Sequence, residues 1–264
     1  MTPDVSGRVA VITGASRGLG EGLAVYMAAA GMHLGLCARH RPNLVVATPS
    51  TAGDDHARSP EAPLQKAVDV TDHGALSRFA AAVVARWGRI DLWVNNAGVL
   101  EPIGPLAEAD PRGLARNIQV NVTGVLHGSA VFARHVRARP GGGVLINISS
   151  GAATTPYAGW AAYCAAKAAV DQLTRVVALE EAAHGLAAYS VAPGVIDTDM
   201  QAQIRATDEA DFPEVARFHQ MAADGSFNSP AWVAAHLLAI AYGPERPAGV
   251  TVRLPAEPLG GRSR

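Results

Sequence analysis

Aromatic side chains make up only 5% of these 264 residues, and cysteine occurs twice. Cys37 and Cys164 cannot build the framework that staples small secreted domains, so both read as small core residues. Neither sign of charge is in excess. The formal net charge is −1, which argues against the basic footprint of a nucleic-acid-binding surface. No apolar run approaches the ~20 residues that cross a bilayer, so no membrane partner is expected. The N-terminus, MTPDVSGRVAVITGAS, lacks a basic stretch followed by a long apolar one, and a cytoplasmic protein without a signal peptide is expected. The nine histidines are scattered, with no Cys/His cluster at ligand spacing, so no metal site is expected.

What the chain does have is a hydrophobic fraction of 49%, mostly alanine and valine, which suits a closely packed helix–sheet core. Apolar, β-branched runs at 8–13, 33–38, 64–70, 90–95, 144–148, 186–191 and 249–254 read as strands. Helical patterns separate them, among them a long helix over 112–139 and another over 230–242. Alternation of strands and helices, with strands apolar on both faces, predicts an α/β fold. Its expected architecture is one doubly wound, Rossmann-type parallel sheet of seven strands in a single domain. Residues 41–63 are rich in Pro, Thr, Ser, Gly and Asp and read as a mobile surface excursion. The tail PAEPLGGRSR is expected to fray.

The first strand–helix turn reads Thr13-Gly14-Ala15-Ser16-Arg17-Gly18-Leu19-Gly20. Glycines let the backbone turn tightly and approach a pyrophosphate, and the helix N-terminus supplies free N–H groups. A dinucleotide site is expected there. An acid ending the second strand would bind a free ribose 2′-hydroxyl. That strand ends Cys37-Ala38-Arg39 instead. With Arg17 as a second guanidinium, the pair suits a 2′-phosphate, so NADP(H) is preferred. Asp69, followed by Val70, either accepts from the adenine amino group or caps the helix that follows. Asn95-Asn96-Ala97-Gly98 ends the fourth strand, where a backbone of small residues can run beside a ribose.

The stretch 147–167, NISSGAATTPYAGWAAYCAAK, runs from a strand end with two hydroxyls into an alanine-rich helix. Tyr163 and Lys167, at i and i+4, share one helix face. A phenol is a poor acid or base near neutrality, and a neighbouring ammonium lowers its pKa towards the working range. A serine at the strand end could orient a carbonyl or alcohol in front of it.

TGASRGLG, NNAG, the strand-end serine, YCAAK and PGVIDTDM, in this order, resemble the short-chain dehydrogenase/reductases over about residues 7–254. The resemblance implies Tyr163 as acid/base, Lys167 on the nicotinamide ribose and Ser150 orienting the substrate, with Ser149 structural. It implies Asn121, in NIQVNVTG, as holder of a proton-relay water; a buried, helix-kinking role is compatible with that. Pro193, Gly194, Ile196 and Thr198 match the segment that contacts the nicotinamide carboxamide, and Asn95 and Gly98 the cofactor-side turn. The family also implies a homodimer or homotetramer packed through the helices at 112–139 and at Tyr163.

Within the family, the GW before the tyrosine, Cys164 after it and DTDMQ are similar to the sepiapterin and benzil reductases. The last strand carries no acid to match the aspartate of the pterin enzymes, and 201–229 resembles the benzil-reductase side. The resemblance implies an NADPH-dependent reductase of a ketone or α-diketone. Oxidation of a secondary alcohol, reduction of a pathway-specific ketone such as a polyketide, and a non-catalytic NADP(H) sensor are the alternatives. Residues 198–229 are expected to form a substrate lid, with Met200, Phe212, Phe218 and Met221 closing an apolar pocket or packing the lid. Tyr157 and Trp160 either face substrate or anchor the loop before the catalytic helix.

Overall fold

The computed structural model describes residues 3–45 and 61–258. Strands β1 (Val9–Thr13), β2 (His33–Ala38), β3 (Leu64–Ala67), β4 (Leu92–Asn95), β5 (Gly143–Ile148), β6 (Leu186–Ala192) and β7 (Thr251–Arg253) form one sheet. Their order is β3-β2-β1-β4-β5-β6-β7, and every neighbouring pair is parallel. The fold is the expected Rossmann-type α/β sheet. Parallel neighbours require crossovers, and helices supply them: α1 (Gly18–Ala29), α2 (His73–Trp87), α3 (Pro111–Ile118), α4 (Gly124–Arg137), α5 (Ala161–Glu181), α6 (Asp199–Arg205), α7 (Val215–Ala223) and α8 (Pro230–Tyr242).

Successive side chains of a strand point to opposite faces, and here both faces are apolar. Ala10, Ile12, Leu34, Leu36, Val94 and Ile146 pack under α1 and α8 against Leu23, Met27, Val233 and Leu237. Val9, Val11, Cys37, Trp93 and Leu145 pack on the other face against Phe79 and Val83 of α2, and Phe132 and Val136 of α4. Burial pushes the Cys37 thiol up to about 12, as for an inert core residue. The strand order reverses between β1 and β4. In open α/β sheets the crevice outside the carboxyl ends of such strands is where ligands bind.

Several boundaries differ from the sequence expectation. The helix expected over 112–139 is broken: a wider π-helical turn, Gln119–Thr123, separates α3 from α4. Asn121 lies in that turn. The strand expected over 64–70 ends at Ala67, because Asp69 starts a turn, accepting from the Thr71 N–H at 2.9 Å and its hydroxyl at 2.8 Å. The excursion expected over 41–63 falls, at 46–60, outside the described residues.

The expectation of a frayed tail fails at 255–258. Pro255 carbonyl accepts from Asn228 and from the Trp232 indole, and the Glu257 carboxylate accepts from the Ser229 N–H at 2.5 Å and hydroxyl at 3.1 Å. An acid at a helix N-terminus meets free N–H groups and the positive end of the dipole. Ser229 caps α8, so Glu257 completes that cap from a distance in sequence that local pattern does not reveal.

Candidate active site

The Gly-rich turn leaves β1 at Thr13 and enters α1 at Gly18. Its glycines are dictated by contacts. A Cβ at Gly14 would stand 2.7 Å from Ala97 Cα, and one at Gly20 would stand 2.3 Å from the Gly14 carbonyl oxygen. Thr13 clamps the switch point: its hydroxyl accepts from the N–H groups of Asn96 at 3.0 Å and Ala97 at 3.1 Å. The Asn96 amide donates back to the carbonyls of Thr13 and Gly14. No side chain caps the N-terminus of α1, so its first N–H groups face the crevice as a phosphate site requires. The residues present therefore fit a dinucleotide, with Ser16, Gly18, Leu19 and Gly20 at the helix entrance.

Around this turn, the residues singled out for cofactor contact fall into two groups. Thr198 stands over Gly18, where an added Cβ would lie 3.1 Å from the threonine methyl. Pro193 and Gly194 follow β6, and Asn228 holds them by donating to the Pro193 carbonyl at 2.8 Å. Ile196 is buried in the α1/α8 core. Arg39 is exposed at the end of β2, and the Ala15 N–H bonds Cys37 carbonyl at 3.1 Å, which draws the turn against that strand end.

Two of the expected contacts, Arg17 and Asp69, are engaged elsewhere. The Arg17 guanidinium forms a 2.9 Å ion pair with Asp199 at the start of α6, both side chains 68% exposed. The Asp69 carboxylate is bonded by Thr71 and, at 3.2 Å, by Arg116. Burial raises its pKa, but those donors outweigh burial and hold it below the ordinary value. The Asn95 side chain turns away from the crevice. It accepts from the Trp93 indole at 2.8 Å and donates to Asn147 at 2.9 Å, and Asn147 in turn donates to Thr174. Only Asn95 backbone can face a cofactor.

The chemical end of the site is built by β5 and α5. Ser150 caps a short 3-10 turn, its hydroxyl accepting from the Ala152 N–H at 3.2 Å. It also faces the Tyr163 hydroxyl closely enough to oppose the effect of burial on that phenol. Lys167 donates to the Ile148 carbonyl at 2.9 Å and lies 5.5 Å from the Tyr163 ring centre. A Cβ at Gly98 would meet Asn121 Oδ1 at 3.0 Å and Lys167 Nζ at 3.8 Å, so amide and ammonium converge on that glycine. Asn121 is fully buried, accepting from the Val99 N–H at 3.0 Å and donating to its carbonyl at 2.7 Å.

The expected lowering of the Tyr163 pKa does not hold in this structure. Burial pushes it up to about 12, and the Ser150 hydroxyl only partly opposes this. Burial also brings Lys167 down to about 8, with Asp171 opposing. Desolvation disfavours each charged form, and a lysine engaged on a carbonyl is not paired to the phenol. A tyrosine so placed keeps its proton near neutral pH, which suits an acid; a lysine near 8 can give a proton up and regain it.

Above Tyr163 lies an aromatic cluster. Trp160 is 5% exposed and stacks on Phe212, and Tyr163, Phe218, Ile204, Val215 and Leu100 complete the packing. Met200 and Tyr157 pack against its edge, and Arg217 reaches the Tyr157 hydroxyl at 3.5 Å. Trp160 is thus buried as an anchor for the loop that enters α5.

Sequence reasoning missed Thr13, Asn96, Asn117 and Asp171. Asn117 is fully buried and donates to the carbonyls of Leu100 at 3.0 Å and Glu101 at 2.8 Å while accepting from Asn121. Its i, i+4 spacing to Asn121 in NIQVN was the available signal.

A family model described as short chain dehydrogenase matches residues 8–209. A benzil reductase ((S)-benzoin forming) of Bacillus subtilis (strain 168) is 32% identical over 237 residues, covering 87% of this chain and 91% of its own. Among solved structures, the KRED1-Pglu enzyme superposes with a TM-score of 0.77 at 30% identity, over 94% of this chain and 100% of its own. Carveol dehydrogenase from Mycobacterium avium, solved in complex with NAD, gives 0.76 at 26% identity, over 96% and 97%.

Proposed function

We propose, for a chain that belongs to the short-chain dehydrogenase family and resembles its benzil reductases, an NADPH-dependent reduction of a ketone or α-diketone. One observation carries this: Ser150, Tyr163, Lys167 and Asn121 converge beside an uncapped Gly-rich helix entrance at the switch point of the sheet. A sensor of NADP(H) has no need of that set.

Bound reduced nicotinamide supplies the hydride. The Gly14–Gly20 turn and the N-terminus of α1 would hold the pyrophosphate, and Pro193, Gly194, Ile196 and Thr198 would contact the nicotinamide end. The Ser150 hydroxyl bonds the substrate carbonyl oxygen. Tyr163 donates its proton to that oxygen, and its raised pKa keeps the proton in place until then. Lys167 stabilises the phenolate and returns a proton to it. Asn121 lines the path by which the lysine is resupplied. General acid catalysis of this kind contributes about 10²–10⁴ in rate.

The preference for NADPH is supported by Arg39 and Arg17 and by the lack of an acid at 38–41. An exposed ion pair such as Arg17–Asp199 is worth roughly 0–1 kcal/mol, so a 2′-phosphate can displace Asp199. Residues 198–229 act as the lid. Its aromatic packing around Trp160 supports an aromatic or dicarbonyl substrate, and the resemblance to the benzil reductase of Bacillus subtilis points the same way. Among the described residues no helix is long and apolar enough to cross a membrane. Exposed Ile118, Leu126, Val176 and Leu179 on α3, α4 and α5 support a homodimer or homotetramer through those helices. A screen of ketones, diketones and alcohols with both cofactors, followed by nicotinamide absorbance, tests the activity. Turnover only of alcohols with NAD would overturn it.

A further inference from the structure

Helix α5 turns three polar side chains inward at i, i+4 and i+8: Tyr163, Lys167 and Asp171, respectively 8%, 5% and 5% exposed. The last residue of β5 and the two that follow it, 148–150, meet them one to one. Ser150 faces the Tyr163 hydroxyl, the Ile148 carbonyl accepts from Lys167 at 2.9 Å, and the Ser149 hydroxyl donates to Asp171 Oδ1 at 2.6 Å. The first two pairs belong to the proposed reaction. The third has no part in it.

A buried carboxylate is expensive unless a charge or a set of donors compensates it. Asp171 Oδ1 accepts a second hydroxyl, that of Ser190 on β6, at 2.5 Å. Among the described residues it forms no ion pair within 4.0 Å. Lys167 is the cation that feels its charge, and that charge opposes the effect of burial on the ammonium. The other groups facing Lys167 are the Tyr163 phenol on the same helix, the Ile148 carbonyl of β5 and the Asn121 amide of the π-helical turn. All of those are neutral near pH 7.

We propose that Asp171 is a positioning residue for the Tyr163–Lys167 pair. Its buried carboxylate is the counter-charge that keeps Lys167 an ammonium. Its bonds to Ser149 and Ser190 fix the strand end from which the Ile148 carbonyl and Ser150 reach the site. The inference rests on Tyr163 and Lys167 being the acid–base pair, but its main test needs no turnover.

The chain contains two lysines, Lys66 and Lys167. Protein labelled with 13C at the lysine ε-carbon therefore gives two signals, and the exposed Lys66 serves as control within each spectrum. Asp171→Asn keeps an acceptor for both serines and removes the charge. The Lys167 midpoint is expected to fall by about one unit relative to wild type, and the alkaline limb of carbonyl reduction to move down with it. Ser190→Ala keeps the charge, so its Lys167 midpoint should stay at the wild-type value while kcat falls. An unchanged midpoint in folded Asp171→Asn, or an equal shift in both variants, overturns the proposal. If Asp171→Asn does not fold, the double variant with Lys167→Met decides. Recovery of the fold supports the charge pairing, and equal failure overturns it. Absence of any ketone turnover in wild type with the lysine shift intact would count against the reductase reading alone.

Discussion

The Trp160 and Phe212 rings stack with their centroids 4.5 Å apart and their planes 4° from parallel. Trp160 immediately precedes α5 and meets Tyr163 edge-on at 5.8 Å. The stack therefore ties the segment proposed as a lid to the helix that carries the proposed acid. Phe212→Ala removes one fully buried partner. Truncation of a core phenylalanine costs about 3–5 kcal/mol, so the melting temperature should fall by roughly 6–20 °C for a chain of this size. A loosened lid should also raise KM for aromatic ketones more than for small ones. Calorimetry and a substrate series check both; an unchanged KM ratio would separate the lid from specificity.

Asn117 holds the chain that leaves β4. Asn117→Ala would leave the carbonyls of Leu100 and Glu101 and the Asn121 amide short of partners. An unsatisfied buried polar group costs about 1–3 kcal/mol, and the loss should appear as a lower unfolding midpoint in urea. Because Asn121 leans on Asn117, kcat should fall too, while NADPH affinity changes little. A variant as active and stable as wild type would contradict this.

Arg17 and Arg39 are expected to read the 2′-phosphate. Their double alanine variant should lose its preference for NADPH over NADH by roughly 10- to 100-fold, since a charge-assisted bond is worth about 1.5–3 kcal/mol. Asp199→Asn releases Arg17 from its ion pair and should tighten NADPH binding by a few-fold. Cofactor titrations by fluorescence measure both. A double variant with unchanged preference would refute the assignment.

Much of this architecture was legible from pattern alone. The two-faced apolar strands predicted the parallel sheet, and the i, i+4 pair Tyr163/Lys167 and the glycines of the first turn marked the site. Illegible features depend on partners distant in the chain. Asp171 meets Ser149 and Ser190, and Thr13 meets Asn96, only after the strands align. Asp199 stands beside Arg17 only once α6 packs over the turn. The sign of the Tyr163 shift is illegible for a related reason: spacing shows the ammonium but not the depth of burial that outweighs it.

Lys167 at about 8, lowered by burial against the pull of Asp171, sets a pH dependence. Reduction needs protonated Tyr163 and a lysine able to reload it, so kcat/KM for reduction should fall as pH rises through about 8, and alcohol oxidation should rise. Stability moves too. Between about 8 in the folded chain and the ordinary 10.5, unfolding takes up a proton, so folding stability increases with pH across that window. Lys167→Met should abolish this increment. A flat profile in the wild type would contradict the buried, weakly basic lysine.

Carbonyl reduction by this chain is proposed to use NADPH and the Tyr163 proton. NADPH consumption with benzil, measured for wild type and for Tyr163→Phe, tests it most directly. Wild type should consume NADPH and yield the hydroxyketone. Tyr163→Phe should bind NADPH within a few-fold of wild type yet lose about 10²–10⁴ in kcat. Near-normal turnover in Tyr163→Phe, or a wild type inert to benzil and every other ketone offered with either cofactor, would contradict it.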